Sequence, residues 1–343
     1  MTADSNYRRV LTAYPAACSG GRIEPLGTAG GFSGARFWRI ESRLGPLCLR
    51  RWPPEHPSPE RLEFIQAVLW HVVQEGFHRL PLPLETSSRA GYVRQGRHLW
   101  QLEPWIAGKA NYRAGPTGSK LKAAMAALAE FHRAASSFPL AEAHLARSPG
   151  IIDRLARLDR WTPGELDRLR MAIEAASGDW PELLGPGSRL IQLFPGAAGK
   201  VRQTLLEAAR LEVPLQACIR DIWHDHVLFE GSRVSGLIDF GAMRAENVAG
   251  DVARLLGSLV GDDAAGWQQG LAEYERLRPL SVGEALSVTA FDRGNVLLSG
   301  LNWLDWICRQ RRVFENHEKA VARLEEVLRR MERLGGRVAA DPS

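Results

Sequence analysis

Cys218–Leu259 reads CIRDIWHDHVLFEGSRVSGLIDFGAMRAENVAGDVARLLGSL, and this stretch decides how the rest of the chain is understood. An apolar run ends at Asp221, and His226 follows five residues later. Two short strand-like segments, VLF and VSGLI, flank the turn EGSR, a pattern that predicts a hairpin. Its second strand delivers Asp239-Phe240-Gly241, and the spacing predicts that the hairpin returns Asp239 beside Asp221. A carboxylate left beside an apolar strand without a partner is costly. Asp221 as a plain turn cap and Asp239 as a plain strand end therefore explain the pattern less well than a shared site does.

Two convergent carboxylates suit a hard divalent cation, which prefers oxygen ligands and keeps several waters. An acid in a loop can accept or orient the proton of a hydroxyl. A second acid opening Asp-Phe-Gly can hold the metal that bridges phosphates. Asp221 and Asp239 stand in that order.

Working toward the N-terminus, Ala35–Ser42 and Pro46–Trp52 read as an antiparallel hairpin. Ahead of it lies GTAGGFSGAR, Gly27–Arg36. Glycines between strands let backbone N–H groups approach phosphates closely, although no Gly-Lys-Ser/Thr follows and the segment opens a strand instead of a helix. The second strand carries Arg50 and Arg51, and strand alternation sends only one of them to a given face. Ser58-Pro59 starts a helix that Gly76 closes, and Glu60, Glu63 and Gln66 lie on it. Strands follow near Gly91–Arg94 and His98–Leu102, and Glu103-Pro104-Trp105-Ile106 continues as an extended segment.

After Gly108 the texture becomes helical. Ser119–Ala135, two helices over Ile151–Ser177 joined at Thr162-Pro163, and Ala197–Leu211 carry helical apolar spacing. The chain from about Asp251 to Leu334 is helical again. A strand-rich front and a helix-rich remainder predict an α+β protein in two lobes, residues 1–103 and 104–343.

At this point the sequence resembles the aminoglycoside phosphotransferase and choline kinase group, the phosphotransferase enzyme family, over roughly Glu24–Leu334. The motifs that carry the resemblance are Ile219-Arg220-Asp221, His226, Ile238-Asp239-Phe240-Gly241, Asp251 in GDVARLLG, and Gly30-Gly31-Phe32-Ser33-Gly34-Ala35. It implies a protein-kinase-like fold, with a small antiparallel-sheet lobe and a larger helical lobe, and transfer of the γ-phosphoryl of ATP to a small-molecule hydroxyl with Mg²⁺. Acceptors in the family include amino alcohols, aminoglycosides, homoserine and sugars. The resemblance further implies Asp221 as catalytic base, and Asp239 with His226 as metal ligands. Gly30, Gly31, Ser33, Gly34 and Arg50 would lie around the phosphates, Glu103 and Trp105 at the adenine, and Asp251 would act as a buried acid supporting the loop. Either Glu60 or Glu63 would be the partner of Arg50, and Gln66 lies nearby. His132 matches a core or loop-supporting histidine. The chain departs from the pattern at Ile219, where the family has His, and at His226, where it has a metal-binding Asn. These departures motivate the alternative of a catalytically impaired, kinase-shaped nucleotide-binding protein. No Ala-Pro-Glu motif follows Asp239-Phe240-Gly241, which disfavours a protein kinase.

The 343 residues carry a net charge of +5, with 24% charged and 45% hydrophobic residues, a soluble globular balance. The basic residues are scattered among acids, so no nucleic-acid motif emerges. The chain has neither a long apolar span nor an apolar leader core, and a cytoplasmic protein without membrane contact is expected. Cys18, Cys48, Cys218 and Cys308 are too dispersed for a zinc site or a disulfide framework. Trp303, Asp305 and Trp306, with Asp262, Asp263 and Glu315, are the candidates for the acceptor site, and an aromatic wall with carboxylates would suit an amine. Oligomeric state leaves no mark in the sequence.

Overall fold

The computed structural model describes residues 6–28, 34–141, 144–312 and 317–337. In chain order the elements are α1 (Asn6–Leu11), β1 (Ile23–Gly27), β2 (Arg36–Ser42), β3 (Gly45–Arg51), α2 (Pro59–Gln74), β4 (Val93–Gln95), β5 (His98–Pro104) and α3 (Gly118–Ala135). There follow β6 (Leu145–Arg147), α4 (Pro149–Arg160), α5 (Pro163–Ala176), α6 (Leu184–Ala209), β7 (Glu212–Pro214), β8 (Gln216–Cys218), β9 (Val227–Glu230), β10 (Arg233–Leu237) and β11 (Arg244–Glu246). The last elements are α7 (Ala249–Val260), α8 (Ala264–Leu277), α9 (Val282–Leu304), a π-helical turn at Asp305–Arg309, and α10 (His317–Arg337). Contacts divide the chain into two units, residues 1–138 with 224–244, and residues 139–223 with 245–343.

The first unit is built on a five-stranded antiparallel sheet in the order β1-β2-β3-β5-β4. Alternation along the strands sorts the two faces. Trp38, Ile40, Leu47, Leu49, Trp100 and Leu102 point to one face and form a buried cluster with Val10, Leu11 and Tyr14 of the N-terminal segment. Arg51 lies on this face too, its guanidinium 5.7 Å from the Trp100 ring. Cys48, Arg50 and Gln101 alternate to the other face, where Gln101 meets Gln66 of α2. Helix α2 starts as the sequence predicts, with Ser58 accepting from the Arg61 N–H and Pro59 in the first turn. It ends before Gly76, whose φ of +92° suits a residue without Cβ. Strand β5 runs two residues further than the sequence reading and takes Glu103 and Pro104 into the sheet opposite Cys48 and Leu47. Proline is tolerated there because it is the last residue of the strand.

The hairpin β9–β10 belongs to this same unit. Lys109 bridges to Phe229 just past the sheet, and the Ser235 hydroxyl donates to the Ala107 carbonyl. Gly108 sits between them at φ +105°, where a Cβ would come within 2.3 Å of Ser235 Oγ.

The second unit is helical, with α9 packed against α6, α7, α4 and α10. Side-chain caps set the helix starts. Ser148 accepts from Ile151 N–H, Thr162 from Glu165 N–H, and Ser281 and Glu284 form a reciprocal capping box on α9. Helix α6 departs from the expectation of a start at Ala197. It begins at Leu184 and passes straight through Pro195, because Phe194, Leu190, Ile191 and Ala197 bury one continuous apolar stripe that outweighs the hydrogen bond lost at proline.

Candidate active site

In the first unit the centre of the site is Asp239. It follows β10 with φ +63°, in the left-handed region that non-glycine residues rarely occupy. Its Oδ1 accepts from Arg50 Nη2 at 2.9 Å, and its Oδ2 lies 3.6 Å from His226 Nε2. Burial works to raise the Asp239 carboxyl, but the charges of Arg50 and then His226 outweigh it and bring the group down to about 2. The carboxylate is thus ionised throughout the ordinary pH range. Gly241, two residues on, is required by close approach, since a Cβ there would stand 3.0 Å from the Trp52 ring. Phe240 packs against Phe131 of α3 with ring centroids 5.6 Å apart.

Arg50 is 5% exposed. Its guanidinium lies 3.5 Å from the Trp52 ring centroid and 5.2 Å from that of Phe37, and its buried Nε has no hydrogen-bond partner among the described residues. A buried cationic donor left in this state is suited to an oxyanion. The partner expected on α2 is not found. Glu63 instead accepts from the Tyr92 hydroxyl at 2.9 Å, and Glu60 sits in the exposed first turn of α2. In their place a polar chain crosses the sheet face. Gln66 donates to Gln101 Oε1 at 2.9 Å, and Gln101 donates to Glu103 Oε2 at 2.6 Å. Burial pushes the Glu103 carboxyl up to about 7, against the pull of Arg50 and the Gln101 hydrogen bond. Just beyond β5, the Trp105 N–H donates to the Pro46 carbonyl and its ring lies under Arg39, 5.0 Å away. Of the glycine-rich segment, Gly30, Gly31 and Ser33 lie outside the described residues. Gly34 adopts φ +74°.

In the second unit the site is the loop Ile219–Asp221. Asp251, fully buried near the start of α7, accepts from the Ile219 N–H at 2.7 Å and the Arg220 N–H at 2.6 Å. Two charge-assisted bonds hold Arg220 at φ +69°, a conformation that costs on the order of 1–3 kcal/mol. Ile219 is fully buried, so at this departure from the family pattern the side chain fills core while Asp251 fixes the backbone. Asp221 itself is half-exposed, and its Oδ1 accepts from Arg254 Nη2 at 2.8 Å. Arg254, which the sequence reading missed, lies three residues beyond Asp251, on the same face of α7, the one sequence signal that could have found it. His132 of the first unit is fully buried, as the sequence reading expects of a core residue.

Of the proposed acceptor residues, Trp303 and Trp306 face each other edge-on at 5.7 Å, and Arg312 already lies 4.7 Å from the Trp306 ring. Asp305 pairs with Arg309, Asp262 pairs with Arg330, and Asp263 caps α8. Glu315 lies outside the described residues.

A family profile for the phosphotransferase enzyme family matches residues 25–280. A homoserine kinase of Rhizobium rhizogenes is 26% identical over 315 residues, covering 89% of this chain and 86% of the relative. Among solved structures, a spectinomycin phosphotransferase in complex with ADP and spectinomycin superposes with a TM-score of 0.67 at 12% identity, covering 97% of this chain and 98% of the other. A microcompartment-associated aminopropanol kinase gives 0.64 at 15%, covering 96% and 97%. The two structural likenesses show a kinase-like fold, a small antiparallel-sheet lobe with a mainly helical one. From the profile match over three quarters of the chain, together with the motif order Asp221, Asp239-Phe240-Gly241, Asp251, we conclude that the chain belongs to the phosphotransferase enzyme family and is an ATP-dependent small-molecule phosphotransferase.

Proposed function

We propose that this protein transfers the γ-phosphoryl of MgATP to the side-chain hydroxyl of a small hydroxy-amino acid of the homoserine type. The observation that carries the assignment is the clamped loop: Asp251 fixes the two N–H groups that precede Asp221, while Asp221 stays half-exposed. The acceptor class is supported by the relatives, since the curated protein matched over 89% of this chain is a homoserine kinase. The same relationship gives no support to an impaired, merely nucleotide-binding protein.

In this reading residues 1–103 form the nucleotide lobe, and residues 104–343 carry the catalytic loop, the metal site and the acceptor site. Gly30, Gly31, Ser33 and Gly34 cover the phosphates, and Arg50 offers them its buried donor. The extended Glu103–Trp105 segment meets adenine through backbone groups other than the Trp105 N–H, which bonds the Pro46 carbonyl. Asp239 is the principal holder of Mg²⁺. The donor set fits, because its Oδ2 is a hard oxygen ionised down to about pH 2. His226, facing that oxygen at 3.6 Å, contributes a nitrogen, which suits Mg²⁺ less than an amide oxygen would. When bound, the ion neutralises charge on the β- and γ-phosphates. Asp221 takes the proton of the acceptor hydroxyl as its oxygen bonds to the γ-phosphorus and the bond to the β-bridging oxygen breaks, so that ADP leaves. Positioning and charge neutralisation supply most of the rate. The test is an ADP-release assay with homoserine, with product identified by phosphorus NMR. ATP consumption that does not depend on an alcohol, or persists undiminished in Asp221→Ala, rejects the reading.

A further inference from the structure

Asp221 is not the only group that Arg254 faces. Arg254 also lines a small cavity among α7, α9 and α10, shared with Asn295, Ser299, Arg323 and Glu326. The cavity measures about 30 Å³, on the order of two water molecules, which is room for one functional group and not for an oligosaccharide. Its charge is uneven. Arg330 on its wall is held by Asp262 at 3.0 Å and by both oxygens of Asp292, whereas Arg254 and Arg323 are each partly exposed, at 28% and 19% of the side chain. Arg323 bonds Glu326, one turn along α10, and lies 5.6 Å from the ring of Trp223, two residues after Asp221. Asn295 gives its Oδ1 to Arg154, and its buried Nδ2 has no hydrogen-bond partner among the described residues. Beside the acids Glu326 and Asp292, the wall thus presents two guanidinium groups, each paired with one carboxylate, and the unsatisfied amide donor of Asn295, which together offer N–H groups to a carboxylate.

We infer that Arg254, with Arg323 and Asn295, anchors the carboxylate of the acceptor, and that Arg254 is the residue selecting hydroxy acids over amino alcohols. This rests on the phosphotransfer reading above. Arg254 reaches Asp221 through one Nη and can reach the acceptor through its remaining N–H groups, so a single guanidinium sets the distance from carboxylate to base. An acceptor without a carboxylate leaves the buried Nδ2 of Asn295 unpaired and is penalised for it.

Three acceptors separate the charges: homoserine, 3-aminopropan-1-ol, which is homoserine without its carboxylate, and 4-hydroxybutanoate, which lacks the amine. Steady-state kinetics and calorimetric binding are measured on the full chain, on Arg254→Ala and Arg254→Lys, and on Arg276→Ala, which alters an exposed pair with Glu273, as a control. Expected is a preference for homoserine over 3-aminopropan-1-ol of about 100-fold in kcat/KM, with 4-hydroxybutanoate retained as a substrate. Arg254→Ala should abolish that preference mainly by raising KM for the two carboxylated acceptors, Arg254→Lys should restore part of it, and Arg276→Ala should change neither. Equal use of 3-aminopropan-1-ol by the unaltered protein overturns the anchor while leaving the phosphotransfer reading intact. So does an Arg254→Ala variant that loses kcat equally on all three. If no acceptor is phosphorylated, calorimetry decides. Homoserine binding lost in Arg254→Ala upholds the anchor and rejects the phosphotransfer reading, and absence of binding to the unaltered protein overturns the anchor.

Discussion

Arg220 and Asp239 both hold a left-handed backbone next to a functional carboxylate, and in each case charge maintains it: Asp251 on the two loop N–H groups, Arg50 on the Asp239 side chain. Replacing Asp251 by Asn keeps the shape but removes the charge, and it turns one of the two accepting oxygens, Oδ2 for Ile219 or Oδ1 for Arg220, into an NH2 that cannot accept. Each charge-assisted bond contributes about 1.5–3 kcal/mol, so Asp251→Asn should lower stability by roughly 2–4 kcal/mol in urea unfolding. It should reduce kcat as well, because Asp221 loses its placement. Asp221→Ala should retain nucleotide affinity within about twofold while turnover falls at least 100-fold, the range of a positioned general base. Calorimetry with an ATP analogue beside the ADP-release assay checks both halves of that statement. At this scale the acids were legible, because Asp221, Asp239 and Asp251 stand at spacings that the chemistry itself imposes. Their partners were harder to read. Nothing in the spacing links position 50 to 239, so Glu60 and Glu63 drew attention that belonged to Asp239, and Arg254 passed as one more scattered arginine.

Among the elements, the stretch after β5 shows how one residue without a Cβ joins two pieces of backbone. Gly108 combines φ +105° with a 2.3 Å approach to Ser235 Oγ and 2.9 Å to the Phe229 carbonyl. Gly108→Ala should cost roughly 2 kcal/mol or more, from the positive φ and from displacing the bridge to β9, seen as a lowered urea midpoint with unchanged m-value. The opposite sign is expected in α6. Pro195 is exposed in mid-helix, and Pro195→Ala restores an N–H to the ladder, so the same titration should show stabilisation, by about 1–3 kcal/mol. Helix starts with a Ser or Thr cap before Pro or Glu were readable from the sequence, as at Ser58 and Thr162. The length of α6 was not, because local propensity breaks at Pro195 while the buried stripe, visible only in three dimensions, carries the helix on. The three-residue strands β6 and β7 were missed for a related reason: segments so short have no periodicity to detect.

For the whole molecule, Glu103 couples stability to pH. Its folded-state value of about 7 lies above the ordinary 4.5 because burial disfavours the charge. The folded protein therefore holds this proton more tightly than the unfolded chain. The resulting stabilisation is complete below about pH 4.5, declines as pH rises toward 7, and is gone above it. Glu103→Gln removes the ionisation, so the melting temperature of the unaltered protein minus that of the variant should fall between pH 5 and pH 8 and then level off, as scanning calorimetry at several pH values would show. A difference that rises with pH would contradict the assignment. The α+β class in two lobes was legible from the order of segments, since strands crowd the first hundred residues and helices the rest, whereas the kinase-like outline came through the resemblance carried by the motifs around Asp221 and Asp239. The division of the chain into contact units was not, because Val227–Leu237 is too short to announce which partner it will fold onto. That allegiance has a practical outcome for anyone dissecting the gene. The polypeptide changes unit at 138/139, 223/224 and 244/245, so no single cut yields both halves as continuous pieces. A fragment ending at residue 138 would lack Asp239 altogether, and a protease nick anywhere in 139–223 would leave two peptides that must each contribute to both halves.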